Sequence, residues 1–196
     1  MIAPRIAAVI LAAGLSSRMP VNKLLVPIRG KAVVRHVADA ALASRATPVI
    51  VVTGSCASAI RAGLSGLDLQ IVENKDFANG LSESLKCGVR HVPDDCEGAV
   101  ILLGDMPFVT PALIDHLIES LNVSQGRAIC VPVRKGRRGN PVLWSCDFFP
   151  ELLQLEGDAG AKRLMALHED VLYEVETPDD GALIDIDTPD DLRAHE

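Results

Sequence analysis

Asp105 lies in Gly104-Asp105-Met106-Pro107, directly after an apolar run, and Asp185 and Asp187 flank Ile186 farther along the 196-residue chain. A carboxylate at the carboxyl end of a parallel strand sits where open α/β sheets bind ligands. Asp is also a common turn residue, so a turn-capping Asp105 explains the same pattern. In a short strand, Asp185 and Asp187 point to one face. Two carboxylates so close repel unless a cation or a donor lies between them. Magnesium suits such acids, because it takes one or two carboxylates and completes its shell with phosphate oxygens and water. Two solvated acids are the plainer alternative.

Candidate cations stand near the start of the chain. The apolar run from Ile6 enters Leu11-Ala12-Ala13-Gly14-Leu15-Ser16-Ser17-Arg18-Met19, followed by Asn22-Lys23. The small side chains of Ala12, Ala13 and Gly14 let backbone approach a ligand. Exposed N–H groups there can cradle phosphate, with Arg18 and Lys23 supplying charge. Neither GxGxxG nor GxxxxGK[ST] is present, and a strand exit with two surface cations fits equally well. In Asn79-Gly80-Leu81-Ser82, Gly80 offers backbone access and Ser82 is a candidate N-cap. A helix start there exposes N–H donors to an anion, or is simply a capped helix. Arg134, Lys135, Arg137 and Arg138 form the one dense basic segment, read as a loop between two strands. Such a patch can hold an anionic co-substrate, or be a solvated hairpin tip.

The elements that must position these residues alternate between β-rich and helical runs, which predicts an α/β fold with a mostly parallel sheet. Strands are expected at 6–11, 48–53, 69–72, 99–103, 128–133, 141–144 and 172–175. Helices are expected at 32–43, 57–62, 82–89, 110–121 and 159–167, with a C-terminal turn after Thr188. Thr110-Pro111 and Thr188-Pro189 each place a capping hydroxyl before a first-turn proline. Aromatics are only 3% of residues, so Val, Ile, Leu and Ala must build the core. A net charge of −7 argues against a general nucleic-acid binder. The five Cys show no zinc spacing and read as reduced thiols of a cytoplasmic protein. The run 6–15 is too short to span a membrane. The five His show no metal-ligand spacing, and Trp144 and Tyr173 read as packing residues.

Taken in order, these segments resemble the MobA/MocA-type nucleotidyltransferases, with greatest similarity to the molybdenum cofactor cytidylyltransferases. Leu11-Ala12-Ala13-Gly14-x-Ser16-x-Arg18-Met19 with Asn22-Lys23-Leu24-Leu25 is similar to that family's signature loop, although Pro20 stands where the family usually has Gly. Gly104-Asp105-Met106-Pro107 and Asp185-Ile186-Asp187-Thr188-Pro189-Asp190-Asp191-Leu192 resemble its two metal-site segments. Arg138-Gly139-Asn140-Pro141 resembles its element near the acceptor substrate, and 157–162 resembles a further element beside it.

The resemblance implies one three-layer α/β/α domain over 1–196, with a Rossmann-like sheet of the nucleotide-diphospho-sugar transferase type. It implies transfer of CMP from CTP to the terminal phosphate of molybdopterin, with release of pyrophosphate. Catalysis falls to Arg18, Lys23 and Asp105, with Mg²⁺ on Asp105 and Asp187. The nucleotide meets Leu11, Ala12, Ala13, Gly14, Arg18, Lys23, Gly80, Leu81 and Ser82, and the acceptor meets Arg138, Gly139, Asn140 and Pro141. Ala13 stands where guanylyl-transferring members usually have Gly, which favours CTP over GTP. The partners implied are these small molecules and a recipient molybdoenzyme of the xanthine dehydrogenase class, with no nucleic acid or membrane. A nucleotidyltransferase for another phosphorylated acceptor, an NAD-binding oxidoreductase and a non-catalytic binding module are the alternatives.

Overall fold

The computed structural model describes residues 4–14, 21–157 and 160–195. Its order begins β1 (Ile6–Ala12), β2 (Pro27–Ile28), β3 (Lys31–Ala32), α1 (Val33–Leu42), β4 (Val49–Thr53), α2 (Ala57–Gly63), β5 (Gln70–Glu73), α3 (Leu81–Val89) and β6 (Gly98–Leu103). It continues with α4 (Pro111–Ser120), β7 (Ile129–Arg134), β8 (Arg137–Arg138), β9 (Val142–Ser145), α5 (Phe149–Leu152), α6 (Gly160–Leu167), β10 (Leu172–Glu176) and α7 (Pro189–Arg193).

The strands of the main sheet run β10-β7-β9-β6-β1-β4-β5, with β8 beside β7. Parallel pairing joins β6, β1, β4 and β5, and also β7 with β10. β9 is antiparallel to both β6 and β7, and β8 is antiparallel to β7. Alternate residues of β1 feed opposite layers. Ile6, Ala8 and Ile10 pack with Val37 of α1 and Leu117 of α4. Ala7, Val9 and Leu11 pack with Leu85 of α3 and Leu164 of α6. A strand covered on both faces must be apolar at every position, which is why β1 reads IAAVILA.

Two tight hairpins are present: the one at 27–32 was not anticipated, and the one in the basic segment is the hairpin tip offered as the plainer alternative. Arg29 and Gly30 join β2 to β3, and Lys135 and Gly136 join β7 to β8, with φ positive at both residues of each pair. That geometry matches the right-handed twist of the strands and needs Gly at one position. The segment 134–139 is therefore mostly strand and turn. Thr110 and Thr188 cap α4 and α7 through their side chains, as anticipated. Among the described residues, no helix is long and apolar enough to cross a membrane.

Cys130 lies in β7 with no exposed surface, and burial pushes its thiol from near 9 up to about 12. The unfolded chain releases this proton at a lower pH than the folded one. The buried thiol therefore supports folding fully below pH 9, and that support is lost as pH rises towards 12. Cys130→Ala should lose stability less steeply than the parent between those pH values, as read by urea denaturation across the alkaline range.

Candidate active site

The chain folds so that β1 and β6 end side by side, at the point where the strand order reverses. Such a switch point opens a crevice beyond the carboxyl ends of the strands. The Gly104 N–H donates to the Leu11 carbonyl at 2.9 Å, continuing the pairing one residue past β6. A turn follows, with the Met106 N–H donating to the Leu103 carbonyl at 3.2 Å, and Asp105 sits at its head.

The second acidic segment is tied to the first by backbone. The Ile186 N–H donates to the Asp105 carbonyl at 2.9 Å. Ile186 is fully buried against Ile28 and Val33, which anchors the segment from below. Residues 184–187 join no sheet, in contrast to the expected short strand. Their backbone pairs with a turn instead of a strand edge, so no ladder forms. Just beyond, Asp191 Oδ2 accepts from the N–H groups of Asp187 and Thr188 at 3.1 and 2.8 Å, closing a capping box on α7. The Thr188 hydroxyl, which donates to the same oxygen at 2.8 Å, and then those backbone bonds hold the Asp191 carboxyl below its ordinary value.

Lys23 completes the cluster from a one-turn 3-10 helix, 23–25. Its Nζ lies 2.5 Å from Asp105 Oδ2 and 2.6 Å from Asp187 Oδ1. Burial alone would lower its pKa, but the charges and hydrogen bonds of the two acids outweigh that and raise it. Burial also raises the pKa of Asp185, and the charges of Asp187 and Asp105 add to that shift.

The donor set fits a divalent cation. Two carboxylates share one cationic position, now taken by an ammonium. Asp105 Oδ1 is buried and has no hydrogen-bond partner among the described residues, a costly state for a carboxylate oxygen unless a ligand uses it. Among the described residues, no group of three or more His, Cys, Asp or Glu is arranged to hold a metal. Two acids suffice for magnesium where phosphate and water complete the shell.

Beside the cluster lies a cavity of about 390 Å³, mostly apolar, whose wall includes Leu11 and Leu103 at the ends of β1 and β6. Leu81, Ser82, Arg138, Gly139, Asn140, Trp144 and Lys162 also line it. Ser82 is not the N-cap of α3. That position belongs to Gly80, whose φ of 108° strongly favours glycine. Ser82 falls in the first turn, and its buried Oγ has no hydrogen-bond partner among the described residues.

Residues 8–171 match the model of the MobA-like NTP transferase domain. The chain belongs to this family. It is 32% identical to the purine catabolism protein PucB of Bacillus subtilis, covering 96% of this chain and 94% of the relative. It is 29% identical to the molybdenum cofactor cytidylyltransferase of Escherichia coli, covering 94% and 92%. It is 25% identical to nicotine blue oxidoreductase of Paenarthrobacter nicotinovorans, covering 96% and 95%. The crystal structure of Rv0371c from Mycobacterium tuberculosis superposes with a TM-score of 0.85 at 31% identity, covering 98% and 97%. A manganese complex of Rv0371c superposes at 0.81 and 30% identity, covering 97% of each chain.

In this MobA-like chain, the anticipated site residues fall into two groups. Lys23, Asp105 and Asp187 converge at the strand ends. Leu11, Leu81, Ser82, Arg138, Gly139 and Asn140 share one cavity, whereas Pro141 does not line it. Ala12 and Ala13 are buried at the exit of β1. Arg18, also anticipated, lies outside the described residues. The charge of Arg138 is already balanced. Its guanidinium grips Glu169 with two bonds of 2.6 and 2.8 Å and Glu174 with a third of 2.7 Å. Those partners raise its pKa and lower that of Glu169. Arg138 thus ties β8 to β10 and shapes the cavity wall. Gly139 lies so close to the turn 181–183 that a Cβ would stand 2.2 Å from the Ala182 carbonyl oxygen. The Asn140 N–H donates to that same oxygen at 2.9 Å, which couples the anticipated acceptor element to the segment carrying Asp187. Sequence reasoning assigned no role to Lys162, the second cation of the cavity wall, and did not see that glutamates claim Arg138.

Proposed function

We propose that this MobA-like transferase moves CMP from CTP to the terminal phosphate of molybdopterin, giving molybdopterin cytosine dinucleotide and pyrophosphate. The observation that carries the reading is the meeting of Lys23, Asp105 and Asp187 at the carboxyl edge of the sheet. A molybdopterin phosphate oxygen attacks the α-phosphorus of CTP. The bond from that phosphorus to the oxygen bridging to the β-phosphate breaks, and pyrophosphate leaves with the electron pair. The attacking phosphate is already anionic near neutral pH, so no general base is required. Catalysis is then in-line positioning and charge neutralisation.

Asp105 and Asp187 hold the magnesium ion, which when bound supplies positive charge to the phosphates. The manganese complex of the related Rv0371c supports a divalent ion on this fold. Lys23 neutralises triphosphate charge, and Arg18 is assigned the same task. Gly80, Leu81 and Ser82 face the nucleoside. With Arg138 held by glutamates, Lys162 is the cavity-wall cation best placed to meet an anionic acceptor. CTP is favoured by the similarity to the Escherichia coli cytidylyltransferase. Delivery to a molybdoenzyme of the xanthine dehydrogenase class in the cytoplasm completes the reading, with 1–196 acting as one domain.

A nucleotide panel with molybdopterin as acceptor tests this. Pyrophosphate release and dinucleotide formation should be fastest with CTP and should require a divalent ion. Faster turnover with GTP rejects the base assignment, and turnover confined to other phosphorylated acceptors rejects molybdopterin. A second reading, an NAD-dependent oxidoreductase, is favoured by the similarity to nicotine blue oxidoreductase. Enhanced NADH fluorescence on mixing with the chain would support it over nucleotidyl transfer.

A further inference from the structure

Lys23 stands where a divalent cation would have to stand. Its ammonium is within 2.6 Å of both carboxylates, and all three side chains are at most one-quarter exposed. A dication placed between the same oxygens would lie against the ammonium, and at low local dielectric that repulsion is large. The two cations therefore exclude each other.

We infer that Lys23 is an exchangeable counterion: it holds Asp105 and Asp187 together in the metal-free protein and must leave them for a divalent ion to bind. This rests on the metal site proposed above and adds a coupling to it. The backbone around Lys23 is pinned. The Asn22 side chain accepts from the Leu24 N–H at 3.0 Å, and Leu24 is 3% exposed beneath it. Exchange is thus a swing of the lysine side chain, not a movement of the chain. Triphosphate oxygens offer the departing ammonium a new anionic partner. Nucleotide then relieves the competition at the acids, and metal in turn releases Lys23 to the nucleotide. Each ligand strengthens the binding of the other, as thermodynamic linkage requires. The metal-free site also avoids leaving its acids in mutual repulsion.

The test is Mn²⁺ binding to the full chain without nucleotide, followed by the electron paramagnetic resonance signal of free Mn²⁺. Lys23→Met removes the competitor and should bind Mn²⁺ about tenfold more tightly than the parent, within the usual range of such couplings. Lys23→Gln keeps hydrogen-bond donors without charge, guards against misfolding, and should show the same gain. Added Mg²⁺ should also raise the Tm of Lys23→Met more than that of the parent. Equal or weaker Mn²⁺ binding by both folded variants overturns the exchange. If Asp105→Asn abolishes Mn²⁺ binding in that same experiment, the metal site stands and only the exchange fails. If Asp105→Asn binds Mn²⁺ as the parent does, the metal assignment falls as well.

Discussion

Asp105→Asn should lower kcat for divalent-ion-dependent pyrophosphate release by roughly 10²–10³-fold, the scale seen when one charge-stabilising group is lost from a preorganised site. Asn matches Asp in shape, so the turn after β6 and the Ile186 N–H bond to the Asp105 carbonyl persist. The charge that pairs with Lys23 disappears, and so does the buried anionic oxygen that no described residue satisfies. Lys23 keeps Asp187 as a partner, and Asp185 loses one of the charges that disfavour its ionised form. Stability should therefore hold while turnover falls. Steady-state kinetics beside a thermal melt separates the two, and a parallel loss of Tm and rate would point to misfolding instead.

Trp144→Ala should cost about 3–5 kcal/mol of stability, the range for deleting a large buried aromatic. Trp144 is 1% exposed and is the largest fully buried side chain among the described residues. It sits in β9 opposite Ala99 of β6 and Ile129 of β7, so it fills the seam where the sheet changes from parallel to antiparallel. Its ring meets Phe148 at 5.9 Å between centroids, and Phe148 meets His168 at 4.9 Å. Because Trp144 also lines the cavity, its loss enlarges the space beside Leu81 and Ser82. Guanidinium denaturation measures the stability change, and a loss under 1 kcal/mol would show that the neighbouring side chains collapse into the space.

The central strands were legible because burial on both faces leaves a continuous apolar run with sharp ends, as in β4 (VIVVT) and β6 (GAVILL). The antiparallel direction of β9 was not legible. VLWS carries no mark of direction, which is set by the reversal at Lys135-Gly136 and the packing of Gly139 on Ala182. Asp105 and Asp187 stood out individually by residue type and segment. Their shared hold on Lys23 spans 82 and 164 residues of sequence, and no local pattern encodes a contact of that separation. The same is true of Arg138, whose basic neighbours suggested an open anion patch until Glu169 and Glu174 closed on it. Ser82 misled because a serine at a helix start usually caps it, whereas the positive φ at the preceding turn placed Gly80 in that role.

The central claim is that Asp105 and Asp187 together grip the metal that serves the nucleotide. A crystal of the full chain grown with a non-hydrolysable CTP analogue and Mn²⁺, measured at a wavelength where manganese scatters anomalously, tests it most directly. The account predicts one anomalous peak touching both carboxylates, with Lys23 swung onto the phosphates. A peak away from either acid, or Lys23 still lodged between them with nucleotide and metal bound, would contradict it.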